Sequence, residues 1–133
     1  MLKPASAEVV LDASALLALL NGEPGADRVL QQLPVAIMGA VNVSEAAAKL
    51  VEFGVGEAEA WTTAARFVRT IIPFDEEMGR IAAGLRRVTR TAGLSFGDRA
   101  CLALAMSRGA DVLTADRAWL RLSIDVRVTT IRP

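Results

Sequence analysis

The sequence contains no histidine, no tyrosine and a single cysteine among its 133 residues. The missing imidazole excludes serine-protease-type triads, cysteine–histidine pairs and every histidine-ligated zinc or haem site. The one cysteine, Cys101, excludes an intrachain disulfide and a cysteine-cluster metal site. Because it lies in an apolar run, we expect a buried, unreactive thiol. Chemistry must therefore come from carboxylates, hydroxyls, arginines or the two lysines, Lys3 and Lys49.

The charges of the chain balance. Fifteen basic residues match fifteen acidic ones, so no net field favours nucleic acid or a membrane. Thirteen of the bases are arginines, whose side chains suit bidentate contacts with phosphate or carboxylate groups. Four of them lie close in sequence and are candidates for a basic patch, with a solvated helix face as the alternative: Arg86, Arg87, Arg90 and Arg99.

No apolar run approaches the ~20 residues that span a bilayer. Lys3 precedes an apolar stretch, as in a signal peptide, but Glu8 and Asp12 interrupt it and no clean cleavage site follows. We therefore expect a cytoplasmic protein. A chain that is 53% hydrophobic and 23% charged is too apolar for intrinsic disorder, and its length suits one domain, residues 1–133. The apolar composition also predicts a partner surface.

Short β-branched runs alternate with helical patterns along the chain. Strands are predicted at residues 9–11, 35–38, 71–72, 111–113 and 126–131. Helices are predicted at residues 13–20, 26–32, 42–53, 56–69, 75–91 and 95–108, with a helical turn at 118–122. This alternation predicts an α/β sandwich with a mainly parallel central sheet of four to five strands flanked by helices. Such sheets bind ligands at the carboxyl ends of their strands.

Two acids come just after predicted strands and so lie at that edge. Asp12 follows the first strand, where it can also cap the next helix, and position alone does not separate the two roles. Asp116 follows the fourth strand together with Thr114, where a turn-forming aspartate is the alternative.

Two further acids lie in the first turns of predicted helices. Glu45 is at the same edge, but its i,i+4 spacing to Lys49 also suits a surface ion pair. Asp98 heads an apolar helix and forms a loose capping box with Ser95, with aspartate in place of glutamate or glutamine. Because Asp98 shares a face with apolar residues such as Cys101, it needs a cap or a cation as its partner.

Four acids at one edge predict a site for a hard divalent cation. Four ionised carboxylates cannot share a pocket without a counter-charge, and Lys49 is the only lysine near any of them in sequence. Magnesium or manganese prefers oxygen ligands and keeps several waters. The bound ion lowers the pKa of water and supports in-line phosphoryl displacement. Without histidine, this is the chemistry that the residue inventory favours.

The segments around these acids resemble the motifs of a nuclease family. Residues 10–17, VLDASALL, resemble the first acidic motif of PIN-domain ribonucleases. Residues 94–105, LSFGDRACLALA, resemble the third motif of VapC-type toxins, and residues 113–116, LTAD, resemble the fourth. Glu45 in NVSE fits the second motif. The order, spacing and total length match, so the resemblance covers essentially the whole chain and implies a PIN-like three-layer sandwich.

The resemblance implies a magnesium-dependent endoribonuclease, with manganese as a substitute, that acts as the toxin of a type II toxin–antitoxin pair. Water activated by the metal would hydrolyse an RNA phosphodiester and leave a 5′-phosphate and a 3′-hydroxyl. By position, the catalytic and metal-binding quartet is Asp12, Glu45, Asp98 and Asp116, with supporting hydroxyls from Ser14 and Thr114. The implied partners are an RNA substrate, which the arginine patch would contact, a cognate antitoxin and a second copy of the chain.

The alternative is a non-catalytic α/β binding or regulatory module in which the acids are structural caps. In such a module, a single change at Asp98 or Asp116 alters stability but no activity.

Overall fold

A five-stranded sheet forms the centre of the computed structural model, which describes residues 7–133, so Lys3 lies outside the described residues. The strands are β1 (Val9–Leu11), β2 (Ala36–Gly39), β3 (Thr70–Ile72), β4 (Asp111–Thr114) and β5 (Val128–Thr130). Their order is β3-β2-β1-β4-β5, and all four neighbouring pairs are parallel. Strands β2 and β3 therefore lie on one side of β1, and β4 and β5 lie on its other side. The carboxyl ends of β1 and β4 form the switch point where open α/β sheets bind ligands.

Helices cover both faces of the sheet. The α-helices of the described part are α1 (Ala13–Leu20), α2 (Ala26–Gln32), α3 (Ala40–Glu52), α4 (Glu57–Ala65), α5 (Glu76–Gly84), α6 (Arg86–Thr89) and α7 (Phe96–Arg108). Two short 3-10 helices span Leu33–Val35 and Arg117–Arg121. None of the helices within residues 7–133 is long and apolar enough to cross a membrane.

Two hydrophobic cores lie on opposite faces of the sheet, because successive side chains of a strand point to opposite sides. Leu11 belongs to the core formed with α1 to α4, and its neighbour Val10 belongs to the core formed with α5 and α7. Both side chains are fully buried. Cys101 is also fully buried in the second core, as predicted. The predicted three-layer α/β sandwich is confirmed.

Three helix boundaries differ from the predictions. Helix α3 begins at Ala40 with Gly39 as its N-cap, so Asn42 lies inside the first turn and does not start the helix. Helix α4 ends at Ala65 and not at residue 69, because Val68 packs into the core before β3 begins. The helix predicted over 75–91 is divided into α5 and α6 at Leu85, next to Gly84, whose helix propensity is low.

Candidate active site

Asp12 directly follows β1 and is nearly fully buried at the switch point. It caps α1, because Oδ1 accepts a hydrogen bond from the backbone N–H of Ala15 at 2.8 Å. The Thr114 hydroxyl donates to Oδ2 at 2.5 Å, and the Ser14 hydroxyl lies 2.7 Å from Oδ1. Burial raises the pKa of Asp12 to about 6, against the lowering effect of these hydrogen bonds. Asp12 therefore caps α1, and its hydrogen bonds only partly offset the effect of burial on its negative charge.

The two hydroxyls join Asp12 to the loop after β4. Ser14 Oγ accepts from the backbone N–H of Ala115 at 2.9 Å, and Thr114 Oγ1 accepts from that of Asp116 at 3.0 Å. Asp116 itself is exposed, and its Oδ1 accepts from the N–H of Ala118 at 2.9 Å at the start of the 3-10 helix. The turn role expected as its alternative is therefore present, and it leaves the second carboxylate oxygen of Asp116 free of hydrogen bonds within the described residues.

Glu45 lies half-buried on α3, one turn after Asn42. The Asn42 amide donates to Glu45 Oε1 at 2.9 Å. The ion pair with Lys49 that was the alternative role of Glu45 is absent from the described residues, because Lys49 contacts Glu52 at 3.3 Å. Burial raises the pKa of Glu45, and the charge of Asp98 adds to the rise.

Asp98 lies in the first turn of α7 and forms a complete capping box. Its Oδ2 accepts from the backbone N–H of Ser95 at 3.0 Å, and its own N–H donates to Ser95 Oγ at 3.2 Å. Burial raises the pKa of Asp98, with a further contribution from the charge of Asp116. The cap thus occupies one oxygen of a partly buried carboxylate.

The four predicted acids line a single cavity of about 240 Å³. The other residues that line it are Ala13, Ser14, Leu17 and Lys49. No ion pair within residues 7–133 involves any of the four acids. In the described part of the chain, Lys49 pairs with Glu52 and with none of these acids, so burial and mutual repulsion raise the pKa of Asp12, Glu45 and Asp98 without a paired cation to oppose them.

The donor set fits a hard divalent cation, because it consists of carboxylate oxygens with uncompensated charge. As they stand, no three histidine, cysteine, aspartate or glutamate side chains in the described range are arranged to hold a metal ion. Magnesium commonly binds through one or two carboxylates and keeps several waters, so it does not require a closed protein cage.

Three of the four arginines of the predicted basic patch lie together in the structure, and the fourth has different contacts. Arg86, Arg87 and Arg90 are exposed and line one surface cavity. Arg99 is not among the residues around that cavity. It donates to the Ala82 carbonyl at 3.2 Å and lies over the Phe96 ring, 5.7 Å from its centre.

Two residues that contact Glu45 escaped the sequence analysis, Asn42 and Gly97. The only signals in the sequence were a polar residue within an apolar helix face and a glycine in the first turn of a buried helix. Each pattern has many structural causes, so neither identified a site.

Comparison with known proteins agrees with this architecture. The model of the PIN domain family matches residues 9–124. A sequence search of curated proteins finds no match. Among solved structures, a toxin–antitoxin complex from Klebsiella pneumoniae is similar, with a TM-score of 0.72 and 17% identity over 93% of this chain and 98% of that one.

Two further structures share the fold. FitAcB from Neisseria gonorrhoeae has a TM-score of 0.68 and 21% identity, covering 92% of this chain and 97% of that one. VapC20 from Mycobacterium tuberculosis, a sarcin-ricin loop cleaving toxin, has a TM-score of 0.68 and 17% identity, covering 90% and 99%. The resemblance inferred from the acidic motifs is confirmed, and the chain belongs to the PIN domain family.

Proposed function

We propose that the chain is a magnesium-dependent endoribonuclease and the toxin of a type II toxin–antitoxin pair, with Asp12, Glu45, Asp98 and Asp116 as its metal-binding and catalytic quartet. The observation that carries the proposal is the cavity at the switch point, where four carboxylates meet without an ion pair in the described part of the chain. A binding module needs no such accumulation of uncompensated charge.

Each residue of the site has a distinct task in this proposal. Thr114 and Ser14 hold the Asp12 carboxylate by hydrogen bonds that favour its ionised form. Asp98 and Asp116 each have one oxygen engaged in a cap, which fixes the side chain and leaves the other oxygen for a ligand. A bound divalent cation would offset part of the negative charge of the quartet, and it would supply the means to activate water and to stabilise the developing charge on phosphate.

The RNA and protein partners are also part of the proposal. Arg86, Arg87 and Arg90, which line the exposed surface cavity described above, would contact RNA phosphates, which guanidinium groups bind well. The similar toxin–antitoxin structures support a cognate antitoxin as a partner. We expect a homodimer that acts in the cytoplasm.

Cleavage of total cellular RNA by the antitoxin-free protein tests the proposed activity. We expect discrete products with magnesium or manganese and none with chelator. The variant Asp98→Asn keeps a side-chain oxygen for the cap but loses the charge, so we expect a loss of cleavage of at least 100-fold. For an interaction made in the transition state, such a loss is about 2.7 kcal/mol.

A matched control separates catalysis from capping. Asp75 is an exposed N-cap whose carboxylate accepts from the N–H of Met78 at 3.0 Å, and it does not line the acidic cavity. Asp75→Asn is therefore expected to cleave like the wild type. Equal activity of the Asp75 and Asp98 variants, or no metal-dependent cleavage by folded protein, would favour the alternative of a binding module.

A further inference from the structure

We propose that Asn42 and Gly97 are positioning residues that fix the Glu45 carboxylate in the acidic cavity. The two residues come from different helices, α3 and α7, and both lie against the same carboxyl group. The inference rests on the proposed function of the cavity, and it assigns a role to two residues outside the quartet.

Asn42 is buried and donates twice. Its amide nitrogen lies 2.9 Å from Glu45 Oε1 and 2.9 Å from the Gly97 carbonyl oxygen. Both neighbours are acceptors, so the amide nitrogen must face them and the amide orientation is fixed. The amide oxygen is buried and has no hydrogen-bond partner among residues 7–133.

That unpaired oxygen argues against a purely structural role for Asn42. Leaving a buried polar group unsatisfied costs about 1–3 kcal/mol, whereas an apolar side chain of similar shape avoids this cost. Asparagine at this position is therefore best explained by the donor that it directs at Glu45 and Gly97.

Gly97 is required for space. A Cβ at this position would overlap Oε1, Oε2 and the carboxyl carbon of Glu45. Its backbone conformation gives no other reason for glycine, because it is not among the glycines with a positive φ. Within a helix, alanine would be more favourable by about 1 kcal/mol. The glycine therefore allows the Glu45 carboxyl group to lie directly against α7.

The hydrogen bond from Asn42 also determines which carboxylate oxygen of Glu45 is available to a ligand. Oε1 accepts from Asn42, while Oε2 accepts no hydrogen bond within residues 7–133. Because Asp98 directly follows Gly97, the bond from Asn42 to the Gly97 carbonyl fixes Glu45 relative to the turn that bears Asp98. Asn42 thus links the position of Glu45 to that of Asp98.

Two variants test this inference, Asn42→Leu and Gly97→Ala. The first removes the donor at nearly constant shape. The second displaces only the end of a flexible side chain, so the protein is expected to stay folded while Glu45 moves. Two controls make the same kinds of change away from the cavity. Thr89→Val removes a buried hydroxyl, and Gly84→Ala adds a methyl group that meets nothing within 4 Å.

The primary readout is manganese affinity, measured by electron paramagnetic resonance on protein shown to be folded by urea unfolding. Loss of a group that orients a metal ligand typically weakens binding about 10–100-fold. We expect that loss in both test variants and wild-type affinity in both controls. Wild-type affinity in folded Asn42→Leu and Gly97→Ala would overturn the inference while leaving the proposed function intact.

Crystal structures of the wild type and Gly97→Ala provide a second readout that does not depend on metal. We expect the Glu45 carboxyl group to leave its place against α7 in the variant, and an unmoved carboxyl group would overturn the inference. If the wild type binds no manganese, the proposed function fails, and these structures alone decide whether Gly97 and Asn42 position Glu45. If Asn42→Leu does not fold, Gly97→Ala decides the question.

Discussion

The buried carboxylate of Asp12 should make the metal-free protein less stable as the pH rises. Its pKa is about 6 in the folded protein, against 3.8 for the ordinary group in an unfolded chain. Between these values the folded state keeps the proton and the unfolded state releases it, so the free energy of unfolding falls with increasing pH. A difference of about two pKa units corresponds to about 3 kcal/mol. Burial also raises the pKa of Glu45 and Asp98, so both act in the same direction.

The variant Asp12→Asn isolates this contribution. An asparagine oxygen still accepts from Ala15, and its amide can donate to the hydroxyls of Ser14 and Thr114, so the fold is expected to persist. Urea unfolding of both proteins in chelator, from pH 4 to pH 7, gives the difference in stability at each pH. Groups common to both proteins cancel in this difference.

We expect Asp12→Asn to gain about 2.4 kcal/mol relative to the wild type between pH 4 and pH 7, somewhat less than the full value of about 3 kcal/mol because the group in the unfolded chain is already partly ionised at pH 4. Magnesium at pH 7 should then stabilise the wild type by about 2.7 kcal/mol at one hundred times its dissociation constant, and the variant much less. A difference that is flat across this range, or that changes in favour of the wild type as the pH rises, would refute the reasoning.

Three further predictions concern the support of the site and the core. Thr114→Val removes a donor to the ionised form of Asp12 and should raise its pKa above about 6 in a carbon-13 NMR titration, and an unchanged or lower value contradicts this. Cys101 should resist thiol reagents in the native protein and react after denaturation, because it is fully buried and burial raises its pKa, so rapid native labelling would contradict the fold. Leu104→Ala should lower the free energy of unfolding by about 2–5 kcal/mol in urea, since Leu104 is fully buried in the second core, and a loss below about 1 kcal/mol would be inconsistent with that packing.

The order of the elements could be predicted from the sequence because hydrophobic periodicity and capping residues are local signals. Ser95 and Asp98 illustrate this, since the predicted capping box is complete in the structure. Asp75 likewise caps the helix that it was predicted to start. The end of α4 could not be predicted in this way, because the burial of Val68 depends on the tertiary fold.

Only those site residues that follow parallel strands could be predicted from the sequence to meet at one edge of the sheet. Asp12 and Asp116 follow neighbouring parallel strands, so their approach was foreseeable from the fold class. The pairing of Lys49 with Glu52 and not with Glu45 was not, because both partners are at helical spacing. The contact between Asn42 and Gly97 joins residues 55 positions apart and leaves no periodic signal.

The central claim is that a divalent cation binds among the four carboxylates at the switch point. Anomalous diffraction from a crystal grown with manganese tests it most directly, because the signal locates the ion without reference to activity. We predict a manganese peak in the cavity, from an ion bound directly or through water to Asp12 and Asp98. A peak only elsewhere on the protein, or none at a concentration that supports RNA cleavage, would contradict it.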